Sequence, residues 1–377
     1  MMDSPCCLGG KPREDTCCPE PSAPPADVPG AEQPFVSGVQ ATPVGPVPAV
    51  TSRLCWCDHW GTFKARWGVH RMDYRVHPGL YALGRPDRDS RVLVTANYKM
   101  TFDHLRRALP GRDAWILVLD TSGVNVWCAA GKGTFSTEEL TARVKSSRLA
   151  EVVRHRELIL PQLSAPGVAG YAVKRGCGFK ALFGPIRAED LPSFLDGGMR
   201  ATPAMRRKSF TIGERVVLIP VELVSVLKAT VVLAPALFFL GGLGWPGDYW
   251  ENAWAHGGYA LLGLFAAILA GAVLTPVLLP WLPGRAFSVK GAALGVLAAT
   301  ALALLAPGPG GWATHLEVAA WWILAPALAS FIAMNFTGAA TFTSLSGVKK
   351  EMRWALPMQA GGGLVGLGML LGTRFLA

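Results

Sequence analysis

Hydrophobic and polar positions follow three different patterns along the chain. Residues 1–50 contain no sustained apolar run, and Pro, Gly, Ala and Ser dominate much of this region. Short apolar runs alternate with amphipathic stretches over residues 51–205, and long apolar stretches follow over residues 206–377. The first pattern is typical of a disordered segment, because it offers too little apolar surface to offset the entropy of ordering. The other two predict a folded soluble domain and a transmembrane domain.

The middle region has the alternating strand and helix pattern of an α/β domain. Apolar strands separated by helices favour βαβ units and a mostly parallel sheet, whose ligands bind beyond the carboxyl ends of the strands. Ser136 and Glu139 fit a capping box at the start of one helix. The predicted strands are Arg91–Asn97, Ala114–Asp120, Leu158–Gln162 and Phe179–Gly184, and the predicted helices are Thr101–Leu109, Thr137–Ala150, Gly167–Lys174 and Ala188–Leu195.

Five apolar stretches in the last region predict about five transmembrane helices. Lys and Arg occur before the first stretch, after the second and after the fourth, whereas the other two loops contain neither residue. We therefore expect a multi-pass protein of the cytoplasmic membrane. By the positive-inside rule, its soluble domain lies in the cytoplasm and its C-terminus lies on the outer side of the membrane. The stretches are 216–240, 253–279, 291–306, 318–336 and 355–371, of which the third and fifth are short for a span of about 20 residues.

Composition supports this division and excludes several classes of protein. The 377 residues include 51% hydrophobic and only 16% charged residues, against roughly 25% charged residues in soluble proteins. Eight cysteines are too few for a disulfide scaffold. The net charge of +10 is largely accounted for by the loops beside the apolar stretches. We expect no nucleic-acid partner, because no basic patch with interleaved aromatic residues occurs.

The segment Gly123–Gly133 is the strongest candidate for chemistry, because it follows a predicted buried strand and precedes a capped helix. A phosphate-binding P-loop is excluded, since Gly131-Lys132 is followed by Gly133 instead of Ser or Thr. Cys128 lies among small residues that leave room for a flat ligand. A buried structural cysteine and a ligand to a metal or macrocycle both remain open on these observations.

A resemblance to a known family enters at the same segment. Asn125-Val126-Trp127-Cys128-Ala129-Ala130-Gly131-Lys132 resembles the signature of the HgcA family, the membrane corrinoid proteins of microbial mercury methylation. Val94–Lys99, Gln162–Val168 and Gly184–Arg187 are also similar to the corrinoid domain of the corrinoid iron–sulfur protein of the acetyl-CoA pathway. The resemblance extends over about residues 53–215, and over the membrane half by architecture alone. It implies a Rossmann-like corrinoid-binding domain.

The resemblance also implies an activity, a cofactor and a site. The chain would be a methyltransferase that uses a cobalamin-type corrinoid to methylate Hg(II), with Cys128 as catalytic residue and lower axial cobalt ligand. A thiolate donates more electron density than imidazole, which favours departure of the methyl group with its bonding electrons and leaves Co(III). The cofactor-binding residues would be Asn97, Asn125, Val126, Trp127, Cys128, Ala129, Ala130, Gly131, Lys132, Gln162 and Gly167.

The implied partners follow from the same chemistry. A cobalt centre that is hard to reduce requires a low-potential donor, for which the family implies a ferredoxin-like protein with 4Fe–4S clusters. A methyltetrahydrofolate-type system would supply the methyl group, and lipid would surround the apolar stretches. Two alternatives remain open: a membrane-anchored corrinoid methyl carrier of one-carbon metabolism, and a transporter of Hg(II) or cobalamin with a cytoplasmic binding module.

The other cysteines do not indicate one role. Cys6-Cys7, Cys17-Cys18 and Cys55-Trp56-Cys57 contain closely spaced thiols, which suit soft metal ions such as Hg(II). Incidental thiols in a tail and a structural contact at Cys55 or Cys57 are equally consistent with the sequence.

Overall fold

The computed structural model describes residues 28–244, 247–307 and 311–375. The chain divides into two compact units, with the boundary between Lys208 and Ser209. The first is an α/β unit and the second is helical, as the sequence predicts.

Seven strands form one sheet in the first unit. Their spatial order is β1-β2-β3-β5-β4-β6-β7, and all neighbours are parallel except the pairs β1–β2 and β3–β5. A mostly parallel sheet is therefore confirmed. The strands are β1 (Val36–Thr42), β2 (Gly45–Val50), β3 (Gly79–Leu83), β4 (Val92–Ala96), β5 (Ala114–Leu119), β6 (Glu157–Leu160) and β7 (Lys180–Phe183).

Helices cover both faces of this sheet, and each face has its own buried core. The helices are α1 (Trp56–Arg66), α2 (Lys99–Arg107), α3 (Val126–Lys132), α4 (Thr137–Ser146), α5 (Leu149–Val152), α6 (Gly170–Cys177) and α7 (Leu191–Asp196), with 3-10 turns at Gln162–Ser164 and Ala188–Asp190. Phe102, Leu105 and Phe194 lie in the core beneath α2 and α7, whereas Leu140 and Val173 lie in the opposite core beneath α4 and α6.

The four strands and four helical regions predicted from the sequence are present with shifted ends, but β1, β2, β3, α1 and α3 were not predicted. The prediction of disorder over residues 1–50 is wrong for residues 36–50, which form β1 and β2. Proline has no backbone N–H to donate to a neighbouring strand. Pro46 and Pro48 are tolerated in β2 because only Ala49 and Val50 pair with β3. Residues 1–27 lie outside the described residues.

The second unit is built from apolar helices. Among its described residues, four helical segments are long and apolar enough to cross a membrane: Ile212–Gly241, Tyr249–Leu278, Trp312–Gly338 and Ser346–Phe375. Their elements are α8 (Ile212–Val216), α9 (Ile219–Gly241), α10 (Tyr249–Asn252), α11 (Gly258–Ile268), α12 (Thr275–Leu278), α14 (Trp312–Asn335) and α15 (Leu345–Phe375). A π-helical turn at Ala253–Gly257 joins α10 to α11, and another at Leu269–Leu274 joins α11 to α12. A 3-10 turn at Phe336–Gly338 follows α14.

The five predicted apolar stretches correspond to these segments and to one shorter helix. The third stretch, 291–306, falls mainly in α13 (Phe287–Ala303), which has 17 residues and ends three residues before the predicted boundary. At 1.5 Å per residue it is about 25 Å long, slightly less than a hydrocarbon core of about 30 Å. The fifth stretch, 355–371, lies within a helical segment of 30 residues and is long enough.

Candidate functional site

The predicted site residues meet at one edge of the sheet. Strands β4, β5 and β6 are mutually parallel, so Asn97, Cys128 and Gln162 follow carboxyl ends at the same edge. The chain leaves β4 through α2 on one face and leaves β5 through α3 and α4 on the other. Open α/β sheets bind ligands where successive connections diverge in this way. The prediction that chemistry lies beyond strand Ala114–Asp120 therefore has a topological basis in the structure.

Asn97 connects the two strands at this point. Its Oδ1 accepts hydrogen bonds from the backbone N–H of Thr121 at 3.1 Å and of Gly123 at 2.9 Å, and the Thr121 hydroxyl lies 2.8 Å away. Its Nδ2 donates to Asp120 Oδ1 at 3.1 Å. Asn97 is buried, and both of its polar side-chain atoms bond to the loop after β5. It therefore positions this loop.

The loop itself needs an unusual backbone. Ser122 and Gly123 have φ values of 56° and 72°, in the left-handed region. A Cβ atom on Gly123 would lie 2.8 Å from Arg75 Nε and 3.0 Å from the Met72 carbonyl oxygen. Conformation and close packing thus both require glycine at this position. The turn directs the chain from β5 into α3.

Helix α3 presents Cys128 on its outer side. Asn125 caps the helix, because its Oδ1 accepts a hydrogen bond from the Cys128 backbone N–H at 2.9 Å. Val126, Ala129 and Ala130 are buried against the sheet core at helical spacing. Trp127 and Lys132 are exposed and Cys128 is partly exposed. Cys128 is consequently not a fully buried core cysteine.

Gln162 and Gly167 lie next to α3, after β6. A Cβ atom on Gly167 would approach the Phe135 carbonyl oxygen to 2.2 Å and Ala130 Cα to 3.1 Å. Gly167 therefore permits close packing against α3, while direct contact between Gly167 and a ligand remains a prediction. Among the described residues, Gln162 Oε1 is a buried atom without a hydrogen-bond partner. A buried acceptor of this kind suits a donor supplied by a ligand.

The helix around Cys128 leaves room for a flat ligand. Within the described part of the chain, no group of three or more His, Cys, Asp and Glu side chains could hold a metal ion. A Cβ atom on Gly131 would meet nothing within 4 Å, so packing inside the protein does not require this helical glycine. Its bare backbone leaves open space beside Cys128.

A buried charge network, not predicted from the sequence, holds α1 and α2 together. Lys99 Nζ lies 2.6 Å from Asp58 Oδ1 and from Asp103 Oδ2. Arg106 lies 2.6 Å from Asp58 and 2.7 Å from Asp103, and it also donates to the backbone carbonyls of Thr51 and Arg53. Burial alone would raise the pKa of Asp58, but the charges of Lys99 and Arg106 outweigh it and lower the pKa to about 2.

This network anchors the segment on which the site depends. Lys99 is the first residue of α2 and follows Asn97 by two positions. Cys55 caps α1, and its Sγ lies 3.3 Å from Asp58 Oδ2. A structural contact is thus observed for Cys55, whereas a metal-carrying role for Cys55 and Cys57 stays a prediction. The pairs Cys6-Cys7 and Cys17-Cys18 lie outside the described residues.

A second charged group lies within the helical unit. Glu317 is buried, with its Oε2 2.8 Å from His256 Nδ1 and 3.1 Å from Arg374. Its Oε1 has no hydrogen-bond partner in the described residues. A buried ion pair among apolar helices is costly and commonly functional, and none of these three residues was predicted from the sequence.

Comparison with known proteins identifies relatives of the α/β unit. Residues 69–185 match the model of the family described as CO dehydrogenase/acetyl-CoA synthase delta subunit, and this range contains all eleven predicted cofactor-binding residues. The gamma subunit of the acetyl-CoA decarbonylase/synthase complex of Methanopyrus kandleri is 34% identical over 128 residues, which cover 33% of this chain and 27% of that protein.

Two further relatives carry the same description. The gamma subunit from Archaeoglobus fulgidus is 30% identical over 140 residues, covering 36% of this chain and 29% of that protein. The gamma subunit from Methanothermobacter thermautotrophicus is 31% identical over 128 residues, covering 33% and 28%. The chain thus spans less than a third of the length of these curated relatives. The similarities fit a corrinoid-binding protein family and concern the unit that carries Cys128.

Proposed function

We propose that the α/β unit binds a corrinoid through Cys128 and that the chain is a corrinoid-dependent methyltransferase. When bound, the corrinoid supplies a cobalt atom that accepts and releases a methyl group. The observation that carries this proposal is the placement of Cys128: partly exposed, held by the Asn125 cap, and located where the connections from β4 and β5 diverge. A soft thiolate suits cobalt, and the rest of the metal's ligands come from the macrocycle.

The neighbouring residues have distinct tasks in this proposal. Cys128 would hold the metal, and Asn97 and Asn125 would fix the loop and helix that carry this cysteine. Gly131 would let the ring approach the α3 backbone. Gln162 would accept a hydrogen bond through its unpaired Oε1, for which the amide side chains of a corrin ring are suitable donors. Trp127, exposed beside Cys128, would exclude water from one side of the ring.

Hg(II) is our proposed methyl acceptor. The octapeptide from Asn125 to Lys132 supports it through its resemblance to the HgcA family. The donor set supports it as well, since an anionic sulfur ligand favours release of the methyl group with its bonding electrons, and Hg(II) is an electrophile. The sulfur ligand is Cys128 of α3, so the choice of methyl acceptor would depend on this one helix.

A second acceptor is favoured by the comparisons. The relatives are named as subunits of an acetyl-CoA decarbonylase/synthase complex, so this chain would serve as a membrane-anchored methyl carrier of one-carbon metabolism. Both functions use the same corrinoid site and differ in the partner that takes the methyl group.

The partners and location belong to the same proposal. A ferredoxin-like protein with 4Fe–4S clusters would reduce the cobalt, and a methyltetrahydrofolate-type system would methylate it. Four helical segments able to span a bilayer support a membrane location, and the alternation of cationic and cation-free loops supports a cytoplasmic α/β unit.

The two acceptors are distinguished with the purified full chain loaded with corrinoid. The loaded chain is methylated by a methyl donor under reducing conditions and then offered Hg(II) or an acetyl-CoA synthase in separate single-turnover reactions. Transfer to Hg(II) in the absence of any further protein supports mercury methylation, and transfer confined to the synthase supports the carrier function. Cys128→Ala should abolish both reactions, whereas the matched variant Cys177→Ala should retain them, since the Cys177 thiol lies at the end of α6 and donates to the Val173 carbonyl of the same helix.

A further inference from the structure

A row of exposed aromatic side chains follows one side of α1. Trp56, Trp60, Phe63 and Trp67 are spaced by four, three and four residues, which places them along one face of the helix and its C-cap. They are 66%, 41%, 49% and 36% exposed. Trp60 and Phe63 stack with ring centroids 5.2 Å apart, and Phe63 and Trp67 lie 6.2 Å apart. We call these four residues the aromatic ridge.

The ridge cannot turn inward without breaking the charge network. The opposite side of α1 carries Asp58 and Ala65, which are both buried. Asp58 is fixed by Lys99 and Arg106 at 2.6 Å, and Tyr74 donates to its backbone carbonyl at 3.1 Å. Rotation of α1 would expose these ion pairs and leave buried charges without partners. The aromatic face is therefore held on the outside of the unit.

The segment that carries the ridge has a positive net charge. Residues 53–75 contain five cationic side chains and two acidic ones. Asp58 is neutralised inside the network, and Asp73 lies 3.9 Å from His70. The segment that carries the ridge thus has an excess of positive charge, which includes the partly exposed Lys64 on α1 itself. The five cations are Arg53, Lys64, Arg66, Arg71 and Arg75.

We propose that the aromatic ridge docks on the headgroup layer of a bilayer that contains anionic lipid. Trp side chains are enriched at membrane interfaces, where the ring is apolar and its N–H remains hydrated. Lys and Arg beside such rings are attracted to anionic headgroups. The covalent link to apolar helices able to span a membrane raises the effective concentration of lipid at the ridge, an advantage that a separate protein partner lacks.

Docking would also orient the candidate site. Met72 and Arg75 follow the ridge and approach Gly123 so closely that a Cβ atom there would lie 3.0 Å from the Met72 carbonyl and 2.8 Å from Arg75 Nε. Gly123 belongs to the loop that leads to Cys128. A ridge held on the bilayer would therefore keep this loop beside the membrane surface. The inference depends on the geometry of α1 and not on which ligand Cys128 binds.

Hydroxyl-radical footprinting of the full chain in nanodiscs tests the proposal. Oxidation rates of Trp60 and Phe63 are compared among nanodiscs of phosphatidylcholine, nanodiscs with one third phosphatidylglycerol, and lipid-free detergent micelles. Tyr171 serves as a reference, because it is 71% exposed on α6 of the same unit. We expect the rates at the ridge to fall at least threefold in the anionic nanodiscs relative to detergent, to recover partly in 1 M salt, and to leave Tyr171 unchanged.

Three results would overturn the proposal. Equal ridge oxidation in all three environments would show that lipid does not cover it. Protection already present in detergent would show that the chain covers the ridge itself. Protection that appears only after a cell extract is added would assign the ridge to a protein partner. A Lys64→Glu variant provides an independent check: it should lose protection in anionic nanodiscs while its Tyr171 rate stays at the wild-type value.

Discussion

Asn97 accepts a hydrogen bond from the backbone N–H of Gly123 at 2.9 Å, and this contact joins the carboxyl ends of β4 and β5. The two strands pair in parallel, but the connections that follow them leave on opposite faces of the sheet. The Asn97 side chain thus ties the loop that leads to Cys128 to the end of β4. The position of the proposed cobalt ligand depends on this residue of another strand end.

Replacing Asn97 should loosen this loop. Asn97→Ala leaves the buried N–H groups of Thr121 and Gly123 without their acceptor, at a cost of about 1–3 kcal/mol for each unpaired group. We expect a lower free energy of unfolding and at least tenfold weaker corrinoid retention. Asn97→Asp keeps the acceptor but places a carboxylate oxygen near Asp120, so it should fall between wild type and Asn97→Ala. Corrinoid retention equal to wild type in Asn97→Ala would refute this positioning role.

Replacing Gly131 should affect corrinoid binding and protein stability in opposite directions. A Cβ atom at this position meets nothing within 4 Å, and alanine is favoured over glycine in a helix by roughly 0.5–1 kcal/mol. Gly131→Ala should therefore raise the thermal stability of the ligand-free chain slightly while it weakens corrinoid binding. Differential scanning fluorimetry and the absorbance of bound corrinoid give the two quantities. Unchanged corrinoid binding would show that the ring does not lie on this side of α3.

Gly167 should behave in the opposite way. Its Cβ atom would lie 2.2 Å from the Phe135 carbonyl oxygen, so Gly167→Ala must displace backbone beside α3. We expect a loss of about 1–3 kcal/mol in the free energy of unfolding, as for other overpacked sites. Gly170→Ala is the matched control, because its Cβ atom would meet Ala181 at an ordinary distance of 3.8 Å. Equal stability of the two variants would contradict the packing role of Gly167.

Asp58 predicts a loss of stability in acid. Its pKa is lowered from 3.8 to about 2 by Lys99 and Arg106, which outweigh the effect of burial. A lowered pKa in the folded state stabilises the protein above the unfolded value, and this stability is lost as pH falls from about 4 to about 2. The contribution is on the order of 2 kcal/mol.

Hydrogen exchange of peptides from α1 and α2 between pH 5 and pH 2.5, corrected for intrinsic rates, measures this effect. Asp58→Asn removes the titrating group and should flatten the pH dependence. It should also destabilise the unit at neutral pH, because Lys99 and Arg106 then lose one of the two carboxylates that neutralise them. If Asp58→Asn loses as much protection from hydrogen exchange in acid as the wild type does, Asp58 is not the source of that loss.

Local pattern sufficed for some elements and not for others. The long apolar stretches are recognisable by their length. The strands β4, β5 and β6 are recognisable because burial on both faces requires continuous hydrophobic runs. β1 and β2 were missed because they contain Gly and Pro, which are uncommon in strands. Pro46 and Pro48 fit in β2 only because that part of the strand does not pair with β3, which the sequence does not reveal. Sequence distance also concealed the network of Asp58 with Lys99 and Arg106, which joins residues more than 40 positions apart.

The site shows the same contrast. The sequence marked Cys128 and its capping residue Asn125, which lie within one helical turn. It also marked Asn97, Gln162 and Gly167, but as residues that line a ligand. The structure gives Asn97 a bridging position and Gly167 a packing position, and leaves Gln162 with a free acceptor. These roles depend on the strand order, which the sequence pattern does not specify.

The central claim is that the sulfur of Cys128 is a ligand to cobalt. Cobalt K-edge X-ray absorption of the full chain, purified with bound corrinoid in the oxidised state, tests it most directly. The account predicts a sulfur scatterer in the first shell of wild-type protein and of Cys177→Ala, and its replacement by nitrogen or oxygen in Cys128→Ala. A wild-type spectrum with nitrogen and oxygen ligands alone would contradict the account.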